Sequence, residues 1–319
     1  MTKRIALIGA GNIGGRLVGH LVNGGHQVVV HDPDGAAVER ARAAGAQTAA
    51  SVAEAARDAE IVLLSLPNPT VVEAVTTRIL NEDVVGRVIV DHSTIDPATA
   101  RRLAKRSGAH AAEFLDAPVS GGIQGADAGT LSIMVGGAEA ALQKVASALK
   151  CYGANIFHVG PSGSGQALKL ANNQITAAII AALGEGLSAA VSAGVDLDAA
   201  VEVLTTSSAN STVLSGYFPK TLFTEERPTG FALDLMHKDL GLFLDSASRM
   251  RLPTPVTNVV RDLFSIGQRD GRGERDFTSV VEFYEDFTGI RLRTGSVEID
   301  EPVEIDQPIE IDEPVGADA

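Results

Sequence analysis

Five short runs, RIALI, QVVVH, IVLLS, RVIVD and AEFLDA, are spread through the first part of the chain, and each is almost continuous in apolar residues. A strand without polar alternation has no face to offer water, so it must be covered on both sides. Between the runs lie segments of helical character, such as residues 35 to 44 and 97 to 107. The second opens with Asp96 as N-cap and Pro97 at the first helical position. Strand and helix in alternation specify βαβ units, so the expected fold is α/β, with a doubly wound parallel sheet within residues 1–163.

The character changes after Gly165. The β-branched runs stop, and an alanine-rich stretch continues to about Ala193; as one helix at 1.5 Å per residue it would span roughly 40 Å. A helix of that length can tie two domains together, so residues 164–193 are expected to form a long interdomain helix. Its apolar run contains Glu185 and falls short of a clean membrane span. Patterns such as FALDLMHKDLGLFLDSASRM and PVTNVVRDLFSIGQ then predict an all-α C-terminal domain over residues 194–293. With 319 residues, 45% of them hydrophobic, the chain has apolar material for two cores.

The formal charge of −14 is concentrated at the end. Residues 297–319 carry nine Asp or Glu and no Lys or Arg, so −14 less −9 leaves −5 for residues 1–296. That balance gives no electrostatic footprint for nucleic acid or for an anionic membrane. The same end repeats VEIDEP, VEIDQP and IEIDEP, and proline every sixth residue opposes both a helix and a strand ladder. An extended acidic tail over residues 294–319, disordered and solubilising or else partner-binding, is the expectation. MTKRIALIGAG breaks its apolar run at glycines too early for a signal peptide, so a cytoplasmic location is expected. The single cysteine, Cys151, reads as a small hydrophobe. Seven histidines without H-E-x-x-H spacing predict no metal site.

LIGAGNIG sets Gly9, Gly11 and Gly14 directly after the first strand, with Asn12 and Ile13 between the last two. In G-x-G-x-x-G spacing the first glycine permits a tight turn, and the second lets a pyrophosphate approach the backbone. The third lets helix and strand pack closely. Asp32 ends the second strand in VVVHDPD, eighteen residues after Gly14. A carboxylate there accepts hydrogen bonds from the ribose hydroxyls of NAD and repels the extra phosphate of NADP. Its neighbours His31, Pro33 and Asp34 include no Lys or Arg, so NAD is expected over NADP. The competing reading makes Asp32 a cap for the following turn.

DAPVSGGIQGADAGTLSIMVGG, residues 116–137, is glycine-rich yet bracketed by strand-like runs, which predicts an ordered loop. Ser120, Gly121 and Gly122 offer a hydroxyl and closely spaced backbone N–H groups able to cradle a carboxylate. In GSGQALKLANN, residues 163–173, Lys169 and Asn173 stand four apart and so share one helix face. A polar pair on an otherwise buried helix is costly unless a partner or ligand completes it.

GAGNIG, DAPVSGGIQGADAGTLSIMVGG, GPSGSGQALKLANN and GFALDLMHKDLGL occur in the order and spacing of the β-hydroxyacid dehydrogenases, the family of 3-hydroxyisobutyrate dehydrogenase and tartronate semialdehyde reductase. The chain resembles that family from about residue 4 to 290. The resemblance implies a Rossmann domain and hydride transfer between a nicotinamide and a small 3-hydroxy acid or its semialdehyde, held in a cleft between domains. It implies that Lys169 is the catalytic lysine, a general acid/base, and that Asn173 with Ser120, Gly121 and Gly122 binds the substrate. Lys238, in HKDLG, looks like the family's lysine near the nicotinamide. Ser93 and Thr94, in DHST, match a cofactor-lining segment, and Pro67, in SLPNP, follows a strand end where ligands meet an open sheet. The family likeness also implies a homodimer or homotetramer. His31 and His92 carry no assigned mechanism; His237 precedes Lys238, where it could sense the pocket. Two alternatives stand beside this reading. One is an imine reductase, which is similar but generally lacks a lysine at the position of Lys169; the other is a non-catalytic, NAD-responsive scaffold acting through the tail.

Overall fold

The computed structural model describes residues 2–82 and 84–294. The repeat at 297–319, and with it the expected tail, lies outside the described residues apart from Thr294. Among the described residues one sheet contains β1 Arg4–Ile8, β2 Gln27–His31, β3 Gln47–Thr48, β4 Ile61–Leu64, β5 Val88–Asp91, β6 Glu113–Asp116, β7 Val119–Ser120, β8 Leu131–Gly136 and β9 Gly153–Gly160. The helices that connect them are α1 Gly14–Asn23, α2 Gly35–Ala43, α3 Val52–Ala56, α4 Pro69–Leu80, α5 Pro97–Ala109, α6 Gly122–Ala128 and α7 Glu139–Leu149.

Strands run in the order β3-β2-β1-β4-β5-β6, every neighbouring pair parallel. The five apolar runs form β1, β2, β4, β5 and β6, and their lack of polar alternation has a direct counterpart in the packing. In β1, Ile5 and Leu7 enter one core while Ala6 and Ile8 enter the other; in β4, Ile61 and Leu63 divide from Val62 and Leu64 in the same way. Successive side chains of a strand point to opposite faces, so two buried faces demand an unbroken apolar run. Helix α5 starts as expected, with Pro97 in its first turn and Asp96 Oδ1 accepting from Thr99 N–H at 2.9 Å.

The segment expected to be an ordered loop, residues 116–137, has more structure than its glycines suggested. It comprises the end of β6, β7, the short helix α6 and β8, which runs antiparallel to β6 and β7. So short a return suits an antiparallel neighbour, because a parallel one needs a longer crossover. β9 then pairs parallel with β8.

Helix α8 Ser164–Ser192 leads into α9 Leu197–Thr206, α10 Leu233–Arg249, α11 Pro255–Arg269 and α12 Glu282–Thr288. These form a helical C-terminal domain whose own core includes Leu214, Phe218, Leu233, Phe264 and Val281. An isolated antiparallel bridge between Ala232 and Asp276 departs from the purely helical expectation. Helix α8 packs on β8, β9 and α5 and also on α10, α11 and α12. Two of its glycines permit this. A Cβ on Gly165 would stand 2.3 Å from Met134 O, and one on Gly184 would stand 2.8 Å from Val281 Cγ2. By length and mean hydropathy, 1.6, α8 could cross a membrane, which the reading from Glu185 had discounted. Its buried stripe, from Lys169 through Asn173, Ala177, Ile180 and Leu187, is packed against protein instead.

Candidate active site

In the strand order, β1 and β4 flank the point where the winding reverses, which is where open α/β sheets receive ligands. The three glycines of the turn after β1 have different surroundings. Gly9 has φ +94°, and a Cβ there would stand 2.2 Å from Ser65 O; on Gly14 it would stand 2.0 Å from Gly9 O. A Cβ on Gly11 would meet nothing within 4 Å. Gly9 and Gly14 are therefore required by the protein itself, while Gly11 keeps an open approach to the backbone, as a bound pyrophosphate requires. Asn12 is exposed at the turn, its carbonyl accepting from Arg16 at 2.6 Å, and Ile13 packs on the core.

Asp32 caps the turn, as the competing sequence reading expected. It ends the turn after β2, where Oδ2 accepts from Ala10 N–H at 2.6 Å and Oδ1 from Asp34 N–H at 2.8 Å. It thereby ties the glycine turn to the β2 end. Folding also brings Arg40 of α2 to 3.7 Å from the Asp34 carboxylate, a cation that inspection of the adjacent residues does not count.

The loop after β5 carries Ser93 and Thr94 and is held from several directions. Ser93 N–H donates to Asp91 Oδ1 at 3.0 Å, and Ser93 Oγ accepts from Leu66 N–H at 2.8 Å. Pro67, next to Leu66, is exposed. Asp91 is fully buried, and its Oδ2 has no hydrogen-bond partner among the described residues. Burial raises its pKa to about 7, against the lowering effect of the Ser93 hydrogen bonds. His92, also buried, reaches Ala117 O with Nδ1 at 2.6 Å and the Tyr152 hydroxyl with Nε2 at 2.8 Å. Burial lowers its pKa to about 4. The ring is therefore neutral, Nδ1–H donates, and Nε2 accepts from Tyr152. His92 is a satisfied core residue, and His31 likewise meets a backbone carbonyl, that of Ala49. His237 is turned to α11, where Nε2 lies 3.0 Å from Ser265 Oγ.

Lys169, in the second turn of α8, is 8% exposed, and among the described residues its amine has no hydrogen-bond acceptor. Burial lowers its pKa; the nearby Asp239 carboxylate acts the other way, and Lys238 adds to the lowering. One turn on, Asn173 donates to Asp239 Oδ2 at 2.7 Å. Lys238 lies 2.9 Å from Asp239 Oδ1, an ion-pair contact without the angles of a hydrogen bond, and donates to Thr94 O at 3.0 Å. Thus α8, α10 and the loop after β5 meet through Lys169, Asn173, Asp239, Lys238 and Thr94.

Ser120 ends β7 opposite Ser132, while Gly121 (φ +127°) and Gly122 (φ +59°) open α6. A Cβ on Gly122 would lie 3.9 Å from Gly230 O, which places this cradle against the helical domain. No hydrogen bond among the described residues joins it to Lys169 or Asn173. Sequence inspection passed over Asp239, although it follows Lys238 in HKDLG, and over Asp91, Asp116 and Gln166. Asp116 accepts from Gly163 N–H at 2.7 Å and from Gln166 N–H at 3.0 Å, and so caps α8 from the end of β6. A polar residue closing an apolar run, as Asp does in both RVIVD and AEFLDA, was the available signal.

A glycine turn at the switch point of a parallel sheet, a carboxylate at the next strand end and a lysine buried against a second domain together define a nucleotide-binding oxidoreductase class. Residues 4–160 match the family model for the NAD binding domain of 6-phosphogluconate dehydrogenase. Residues 163–284 match that for the NAD-binding domain of NADP-dependent 3-hydroxyisobutyrate dehydrogenase. The chain is 35% identical to 2-(hydroxymethyl)glutarate dehydrogenase of Eubacterium barkeri, over 92% of this chain and 98% of that protein. It is 37% identical to 3-hydroxyisobutyrate dehydrogenase of Pseudomonas aeruginosa, over 88% and 98%. The solved structure of Mycobacterium tuberculosis 3-hydroxyisobutyrate dehydrogenase with L-serine matches with a TM-score of 0.84 at 31% identity, over 89% of this chain and 99% of that one. An imine reductase from Pseudomonas sp. shares the fold at 20% identity and a TM-score of 0.57. The chain belongs to the β-hydroxyacid dehydrogenase family, and with it to the nicotinamide-dependent oxidoreductases.

Proposed function

We propose that this chain transfers hydride between NAD and a small 3-hydroxy acid or its semialdehyde, with Lys169 as general acid/base. The observation that carries the reading is the Lys169 side chain, 8% exposed, without a hydrogen-bond acceptor among the described residues and depressed in pKa by its burial. An amine so placed gives up its own proton more readily and can take one from a substrate hydroxyl, then return it in the reverse direction. Asn173, held by Asp239, fixes the face on which that exchange occurs. Ser120, Gly121 and Gly122 cradle the substrate carboxylate. Gly9, Gly11, Asn12, Ile13 and Gly14 receive the pyrophosphate, Asp32 the adenosine ribose, and Pro67, Ser93, Thr94 and Lys238 line the nicotinamide end. Bound there, the nicotinamide supplies the hydride acceptor or donor. The names of the relatives point the same way, since they are dehydrogenases of carboxylated alcohols.

NAD is preferred to NADP in this reading because the Asp32 carboxylate opposes a 2′-phosphate. Residues 1–163 act as the cofactor domain, 164–193 as the interdomain helix and 194–293 as the substrate and dimerisation domain of a cytoplasmic homodimer or homotetramer. Exposed Ile175, Val203 and Val259 offer apolar surface for such assembly.

The test is a panel of 3-hydroxyisobutyrate, L-serine, 2-(hydroxymethyl)glutarate and tartronate semialdehyde, each with NAD or NADP in the appropriate redox state, followed by nicotinamide absorbance. Turnover on one or two carboxylated substrates, faster with NAD, is expected. Equal or faster turnover with NADP would overturn the role given to Asp32. Reduction of a cyclic imine with silence on the whole panel would replace the reaction itself.

A further inference from the structure

The loop after β5 and the first turns of α8 carry different parts of the proposed chemistry, and one side chain joins them. Gln166 is completely buried. Its Oε1 accepts from Ile95 N–H at 3.0 Å, and its Nε2 donates to Ser93 O at 2.7 Å. Its own N–H donates to Asp116 Oδ2 at 3.0 Å. The intervening carbonyl, Thr94 O, accepts from Lys238. Three consecutive residues of the loop are thus held through main-chain atoms by side chains from α8 and α10. Lys169 stands three residues after Gln166, less than one helical turn along the same rigid element.

We infer that Gln166 is a positioning residue, setting the separation between the 93–95 loop at the nicotinamide end and the Lys169 amine. An amide suits the place because a single side chain must present one acceptor to Ile95 N–H and one donor to Ser93 O. Gly165 supports the same arrangement. Its absent side chain lets this turn of α8 approach Met134 O and Asp116 O, where a Cβ would stand at 2.3 and 2.6 Å. The helix start is therefore pinned from below by the sheet and from the side by the loop, and a displacement of one is passed to the other. This inference rests on the proposed role of Lys169.

The test compares Gln166→Glu and Gln166→Met in the full chain. It uses thermal melting, NADH titration by fluorescence, and steady-state oxidation of 3-hydroxyisobutyrate by NAD from about pH 6 to about pH 9. Both variants are expected to lose kcat by about 10²-fold, the scale of a small misplacement at a reacting centre. NADH affinity should weaken by about tenfold, the order expected for one or two lost hydrogen bonds. The Glu variant, nearly isosteric and the safer of the two to fold, carries the decisive readout. Protonated, its side chain can again donate to Ser93 O, so its activity relative to wild type should recover as pH falls, while the Met variant stays low. The ratio to wild type sets aside the pH dependence common to both enzymes; the charged or titratable groups around this junction are Asp91, Asp116 and His92 on the sheet side, Lys169 on α8, and Lys238 and Asp239 on α10. A Met variant that melts lower but keeps wild-type kcat, KM and NADH affinity would overturn the inference. So would a Glu-to-wild-type ratio that is flat with pH. Lys169→Ala is measured alongside: full activity there would sink the acid/base reading, and the NADH titration would then decide whether Gln166 still orders the loop. If wild type is silent on the probe, that titration alone decides.

Discussion

The turn between β1 and α1 is built by leaving side chains out, whereas the seam where α8 meets α10 is built by burying charged ones. Gly9 and Gly14 have no room for a methyl group, and Gly11 has open space. What remains is backbone, whose N–H groups receive the pyrophosphate in the proposed function. At the seam the opposite holds: Lys169, Asn173 and Asp239 are all nearly enclosed, from positions as far apart as α8 and α10. A backbone site is cheap to hold and recognises what every nucleotide shares. A buried charge is expensive to hold, and that cost is what lowers the Lys169 pKa. In the proposed function, recognition and chemistry are therefore separated by mechanism as well as by place.

The largest expected effect breaks the seam alone. Lys169→Ala should lower kcat by about 10² to 10⁴-fold, the usual worth of a positioned acid/base group, with NADH affinity nearly unchanged by fluorescence titration. An equal loss of NADH binding would erase the separation. Asp239→Asn sharpens the same point. It keeps an acceptor for Asn173 but removes the charge that raises the Lys169 pKa. The acid limb of the oxidation profile should move to lower pH.

Next in size is the contrast within the glycine turn. Gly14→Ala places a methyl group about where Gly9 O already stands, 2.0 Å from it, and should cost solubility or melt well below wild type. Gly11→Ala should change stability by about 0.5 kcal/mol or less, as at an open surface position, yet weaken NADH binding. If both variants lose stability alike, Gly11 is structural too.

The smallest effect tests the floor beneath both regions. Asp91 has its pKa raised from 3.8 to about 7, so its contribution is full below 3.8 and is lost as pH rises through about 7. His92 has its pKa lowered from 6.5 to about 4, so its contribution is full above 6.5 and is lost as pH falls through about 4. The two neighbours oppose each other across one pH window, and together they flatten its slope. Asp91→Asn should leave a melting temperature that falls with acidity between about pH 6.5 and 4. His92→Gln should leave one that falls as pH rises from about 4 to 7. Parallel profiles for the two variants would show that neither group titrates as its burial implies.

Much of the fold was legible because its signals are local. An unbroken apolar run reports two buried faces wherever it occurs, and Asp96 followed by Pro97 reports a helix start. β3 and β7, two residues each, are too short to carry a periodic pattern, and the glycines that flank β8 mask its strand character. Within the site, the glycines and Lys169 could be singled out by spacing and by an amine in an apolar helix. Asp239 and Gln166 could not, since an aspartate beside a lysine reads as a solvated face and a lone glutamine near a helix start reads as ordinary helix former. Arg40 was likewise missed because a residue one turn into α2 is near Asp34 only after the helix forms.

The sequence by itself determined the sheet's apolar strands, the glycine turn with Asp32 at the next strand end, the length of α8 and the face shared by Lys169 and Asn173. Each depends on dihedral preference or on periodicity within one segment. Only the tertiary structure decided that Asp239 accepts from Asn173, that Gln166 and Lys238 hold the loop after β5, that Asp116 caps α8 and that Asp91 lies in the dark of the core. Those relations join residues distant in the chain, and their energies arise from desolvation, which no residue experiences until the two halves have closed around it.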